Sequence, residues 1–198
     1  MRVTTIHGPR DIRLEDPQLR GQVLRFLPSM LGGTILLLAD MHSGTANISG
    51  VLDASAPDGG NGGFIETSAA HVNIADSIRG TTAAPAGQTG TWLIDPHDFT
   101  IGSGGNISGA TLSALLETSN YIIDTATGPG AASPGDGHIH VNEAVTWTLN
   151  ATTLTLKAVG DVNINQAIST TNGSLEVCCG QDVNVNAAIT TVRGSVLL

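Results

Sequence analysis

Apolar and polar residues alternate in short runs along most of this chain, and the runs repeat. In Asp161-Val162-Asn163-Ile164-Asn165 a period of two puts Val162 and Ile164 on one face of a strand and Asn163 and Asn165 on the other. The run returns 21 residues later as Asp182-Val183-Asn184-Val185-Asn186. Its register continues, since Ile168 maps onto Ile189, Gly173 onto Gly194, Ser174 onto Ser195, Leu175 onto Val196 and Val177 onto Leu198. Upstream, His138-Ile139-His140-Val141-Asn142-Glu143-Ala144-Val145 lies over Asp161 to Ile168 at an offset of 23, while Leu154 and Leu156 precede Leu175 and Val177 by 21. The longer offset holds a two-residue loop insertion.

A period of about 20 residues made of short alternating runs predicts a β-solenoid, in which each rung contributes two or three strands and is covered by its neighbours. The fold class expected is all-β, a parallel β-helix with aliphatic side chains inward and asparagines stacked outside. Burying each Val, Ile or Leu contributes roughly 1.5 to 3 kcal/mol before conformational entropy is subtracted. Such a core needs few aromatics, and the chain has only three Phe, two Trp and one Tyr.

Earlier strands are expected in Gly32 to Asp40, in Ala46 to Asp53 around a Ser-Gly turn, and at Phe64-Ile65-Glu66-Thr67 and His71-Val72-Asn73-Ile74. Between them, Pro57 to Gly63 is glycine-rich. It lacks the Gly-Lys-Ser/Thr ending and following helix of a phosphate-binding loop, so a turn needing positive φ is the better reading. One short helix is predicted, because Leu112, Leu115 and Leu116 share a face after Ser108-Gly109, with Asn120 closing it before the strand Tyr121-Ile122-Ile123-Asp124. It is placed on the flank or end of the solenoid, within an insertion over about 104–137 that includes a Gly/Pro/Ala loop from Thr127 to Gly137.

Charge divides the chain. Residues 1–30 hold five of the eight basic residues (Arg2, Arg10, Arg13, Arg20, Arg25), leaving Arg79, Lys157 and Arg193 for the rest. Residues 1–30 are therefore read as an unrelated basic leader, irregular or poorly ordered, and 31–198 as the solenoid. With 17 acids and a net charge of −9, a phosphate-binding surface has little to be built from, which argues against nucleic acid as a partner. The leader does not read as a secretory signal, and no apolar run reaches transmembrane length.

His138 and His140 project to one side of a strand and could offer a metal two imidazoles, yet they coincide with outward Asp161 and Asn163, so polar stacking is the better reading. Asp95 and Asp98 are the best carboxylate pair for acid/base work, with Glu66 as a further acid. Scarce cations and aromatics favour a turn role for Asp95 before Pro96. Trp92 and Trp147 are read as core or end-cap packing residues, not as stacking platforms for a ligand. Cys178 and Cys179 are read as one inward and one outward thiol, because neighbours on a strand diverge. Asn47, Asn106, Asn150 and Asn172 head glycosylation sequons, a number near chance for this composition. No catalytic, cofactor or metal residues are assigned.

The order of Gly32 to Asp40, Leu52-Asp-Ala-Ser55, Asn61-Gly-Gly-Phe-Ile-Glu-Thr-Ser68 and Gly90-Thr-Trp-Leu-Ile-Asp-Pro96 resembles the passenger region of filamentous-haemagglutinin-like exoproteins of the bacterial two-partner secretion pathway. The resemblance covers about residues 31–198. It implies a right-handed parallel β-helix, a non-catalytic adhesive rod, extracellular or cell-surface location, an outer-membrane transporter partner and host-cell or carbohydrate receptors. The family's N-terminal secretion domain has no counterpart here, and the chain is read as a fragment. Thr5 to Pro17 resembles the start of zinc-dependent medium-chain alcohol dehydrogenases, without that enzyme's zinc or dinucleotide motifs behind it. The alternative function is a carbohydrate-active β-helix enzyme, a polysaccharide lyase or glycosidase.

Overall fold

The computed structural model describes residues 32–125 and 137–198, together with the backbone of Ile12–Leu14. The alternating runs do form strands, and these coil into a parallel β-helix. One eight-stranded sheet runs the length of the stack: Ile12–Leu14, Thr34–Leu38, Phe64–Ser68, Thr91–Asp95, Asn120–Asp124, Thr153–Lys157, Ser174–Cys178 and Val196–Leu197, in chain order. Each strand is parallel to the next. A second face carries Thr45–Ile48 and His71–Ile74 as one pair, then Phe99–Ile101, Ile139–Val141, Val162–Ile164 and Val183–Val185 as a four-stranded sheet. The third face has Val51–Asp53 with Arg79–Thr81, and Val145–Trp147 with Ile168–Thr170 and Ile189–Thr191.

The register confirms the repeat. Val162 pairs with Val183 and Leu154 with Leu175, both 21 apart, whereas Ile139 pairs with Val162 at 23. Inward positions stack into continuous columns. Ile35, Ile65, Trp92, Tyr121, Leu154 and Leu175 face one another in succession along the long sheet, and all are buried. Both tryptophans belong to the core: Trp92 tilts against Tyr121 with ring centroids 5.4 Å apart and donates its indole N–H to Thr67 Oγ1 at 3.1 Å. Trp147 donates to the carbonyl of Thr152 at 3.4 Å.

The glycine-rich loop is a turn, with Gly59 at φ +134° and Gly60 at φ +78°. Gly63 answers a different need, since a Cβ there would lie 1.9 Å from the carbonyl oxygen of Gly33 in the adjacent rung.

The helix exists at Gly109–Leu116, capped by Ser108, whose hydroxyl accepts the Thr111 N–H. Its location corrects the expectation of a flank or end. It occupies the third-face place in its rung, touching Arg79–Thr81 on one side and Val145–Trp147 on the other. Leu112, Leu115 and Leu116 enter the same core as the strands. A helix fits where a strand would because its polar groups are tied to both neighbouring rungs. Asp76 receives the Ser108 hydroxyl at 2.6 Å, and Glu143 receives the Gly109 N–H at 2.8 Å. At the other end the Glu117 carboxylate receives the N–H groups of Thr148 and Leu149, both at 2.8 Å. The described part of the expected 104–137 insertion, through residue 125, is thus built into the stack, with Asn120–Asp124 a full member of the long sheet. Residues 126–136 lie outside the described residues, as does the expected leader apart from Ile12–Leu14. That strand extends the long sheet by pairing with Ile35–Leu37.

Candidate functional site

Two corners gather the ionisable residues, one buried and one exposed. The first stands where strands of the long sheet end. Burial alternates along both Thr91–Asp95 and Asn120–Asp124 until the last position, where Asp95 and Asp124, following the paired Ile94 and Ile123, are buried too. Ser68 pairs with Asp95 in the preceding rung, and Lys157 pairs with Asp124 in the following one. The result is a column of Ser68, Asp95, Asp124 and Lys157, flanked by Glu66. The Ser68 hydroxyl donates to Glu66 Oε1 at 2.9 Å, and Lys157 Nζ stands 3.9 Å from Asp124 Oδ2.

Asp95 is 9% exposed and its Oδ1 has no hydrogen-bond partner. Burial, then the charges of Asp124 and Glu66, push its carboxyl up to about 6. A carboxyl of that kind is protonated in part near neutral pH and could act as a general acid. His97 beside it is 1% exposed, with both ring nitrogens unpartnered. Its ring meets that of His71 edge-on at 6.4 Å.

Asp95 and Asp98, the carboxylate pair expected from the sequence, differ in the structure: Asp95 is buried and Asp98 exposed. Asp98 ties its rung to the next, accepting the His138 N–H at 3.0 Å. The acid that shares a column with Asp95 is Asp124, at the end of the adjacent strand. The available signal was the match of Trp92-Leu93-Ile94-Asp95 to Tyr121-Ile122-Ile123-Asp124, an aromatic, two aliphatics and an acid at an offset of 29.

The second corner is a ladder. Asp98, His138, Asp161 and Asp182 occupy successive rungs, and each side chain of the first three accepts the backbone N–H of the next. His140 pairs with Thr100 below and Asn163 above, the polar stack expected for it. Beside it run amide ladders, with Asn184 donating to Asn163 at 3.0 Å, Asn186 to Asn165 at 2.8 Å and Asn165 to Asn142 at 2.9 Å. An earlier one joins Asn73 to Asn47 at 3.1 Å. Among the described residues no group of three or more His, Cys, Asp or Glu is placed to hold a metal ion. No described helix is long and apolar enough to cross a membrane.

The cysteines differ from expectation. Cys178 and Cys179 form a vicinal disulfide, and neither points into the core. The strand ends at Cys178, and Cys179 turns into left-handed backbone at φ +73°, so the divergence of neighbouring strand positions no longer applies. The sequon asparagines already serve the fold: Asn106 donates to the carbonyl of Val72 at 2.7 Å, Asn172 to that of Thr148 at 2.9 Å, and Asn47 accepts from Asn73. Asn150 donates to the carbonyl of Glu117. Comparison of the chain with protein-family models, with curated proteins and with solved structures gives no match.

Proposed function

We propose that residues 31–198 are a structural, non-catalytic segment of a secreted or surface-associated adhesin of the filamentous-haemagglutinin-like kind. The observation that carries this reading is the long parallel sheet that runs through the rungs over one hydrophobic core, with outer asparagines bonded to one another and outer carboxylates to the backbone of the next rung. Side chains committed to neighbouring rungs stiffen a rod and leave few groups to converge on a substrate. In this reading the partners are an outer-membrane transporter and a host-cell or carbohydrate receptor.

One observation favours a second reading, a carbohydrate-active β-helix enzyme. Asp95, raised to about 6 beside Asp124 and Glu66, has the acidity of a general acid. The two readings separate in one experiment. The purified chain and its Asp95→Asn variant are incubated with a panel of polyuronides and neutral polysaccharides, and reducing ends and unsaturated products are measured. The adhesin reading expects no turnover by either protein, together with saturable binding of the chain to cells or immobilised glycans. Product release that disappears in Asp95→Asn would replace it with the enzyme.

A further inference from the structure

Position 138 is where the carboxylate ladder changes chemistry. At each strand entry the backbone carbonyl of one rung accepts from the rung before it: His138 from Phe99 at 2.9 Å, Asp161 from Ile139 at 2.9 Å, Asp182 from Val162 at 2.9 Å. The N–H of the same residue faces that preceding rung too, and there a side chain takes it. Asp98 Oδ1 accepts from His138 at 3.0 Å, His138 Nδ1 from Asp161 at 2.7 Å, and Asp161 Oδ1 from Asp182 at 3.2 Å. Carboxylates do this in their usual charged form. An imidazole does it only when Nδ1 carries no proton, which requires the tautomer with hydrogen on Nε2.

We propose that His138 is a pH-sensitive joint between two rungs of the stack. In the neutral form the Asp161 N–H bonds to His138 Nδ1. On protonation Nδ1 becomes a donor, the Asp161 N–H loses its acceptor, and the new N–H turns to Asp161 Oδ2, which already stands 3.8 Å away. The joint passes from a backbone bond to an ion pair without leaving Asp161. Asp98 from the preceding rung and Asp161 from the following one face the ring, and His140 on its own strand lies 5.9 Å away between centroids. The Asp124–Lys157 pair stands at the strand ends leading into this corner. Asp161 and Asp182 hold the equivalent positions in later rungs, so this switch is confined to one joint and the next joint serves as its internal control.

Nuclear magnetic resonance on the full chain tests the proposal. At pH 8 the His138 ring is expected in the Nε2–H tautomer. Between pH 8 and 5 the Asp161 amide is expected to shift with the midpoint of the His138 ring and to lose about fivefold to tenfold in exchange protection, as one lost hydrogen bond would cause. In His138→Asn, whose amide oxygen accepts without titrating, that inflection disappears, whereas His140→Asn keeps it. A ring with hydrogen on Nδ1 at pH 8 would overturn the proposal in the wild-type chain alone. So would an Asp161 amide that shows no inflection shared with His138, or one that still shows it in His138→Asn.

Discussion

The rung that begins at Asp161 and the rung that begins at Asp182 have nearly the same sequence and different environments. Val162 and Ile164 are 0% exposed, while Val183 and Val185, their register partners, are 36% and 44% exposed. The strands pair in the same way and the asparagines stack in the same way. What differs is that, among the described residues, only the first rung is covered on both sides. Burial in this molecule therefore belongs to the stack and not to the residue, as expected for a solenoid whose stability is a sum of rung and interface contributions.

The sharpest break in that comparison comes from matched truncations. Ile164→Ala is expected to cost about 2 to 4 kcal/mol in urea unfolding, because it leaves a cavity between two rungs. Val185→Ala, one rung on, is expected to cost well under about 1 kcal/mol. Equal costs would mean that the second rung is packed as tightly as the first.

An enclosed acid and an open one give the next contrast. Asp95 holds a proton up to about pH 6 in the folded chain, against an ordinary value of 3.8. Between those values the folded state binds a proton that the unfolded state has released, so stability falls as pH rises through that window and is highest below it. Asp95→Asn should remove this fall and raise stability at pH 8 by on the order of 1 to 2 kcal/mol, with little effect at pH 4. Asp182→Asn, at an exposed position, should change stability by less than about 0.5 kcal/mol at either pH. Thermal unfolding of the variants at both pH values reads the two slopes. A persistent slope in Asp95→Asn would move the cause to another group.

The smallest contrast lies in the amide ladder. Asn165 donates to Asn142 and accepts from Asn186, whereas Asn186 donates to Asn165. Asn165→Ala should cost about 1 kcal/mol and Asn186→Ala roughly half that, since the interior position breaks two hydrogen bonds. A double-mutant cycle on the pair checks that the difference arises from the ladder.

Where the sequence repeats at a constant offset, it shows the structure directly. The period of two in Val162-Asn163-Ile164 reads off the inward face, and the 21-residue register reads off the partner strand, because stacked rungs bring like positions together. Legibility declines where rung length varies. Pairings in the earlier part of the long sheet are 30 apart for Ile35 and Ile65, 27 for Ile65 and Trp92, and 29 for Trp92 and Tyr121. With no fixed offset to follow, the Asp95 and Asp124 column stays hidden, and a nearby acid, Asp98, looks like the natural partner. The helix was readable from its leucines, but its place was not, since local periodicity shows that a face is apolar and not which rungs cover it. The vicinal disulfide depends on a left-handed residue at Cys179, a backbone choice with no marker in the surrounding sequence.

Hydrogen exchange at two amides tests mutual protection of the rungs most directly. Asn165 N–H bonds to the carbonyl of Val141 at 2.9 Å, and Asn186 N–H bonds to that of Ile164 at 2.8 Å, so the two make the same bond to the rung beneath. Residue-resolved exchange should find the Asn165 amide protected at least about a hundredfold more than that of Asn186, because only its rung must open against neighbours on both sides. Equal protection of the two amides would contradict the account.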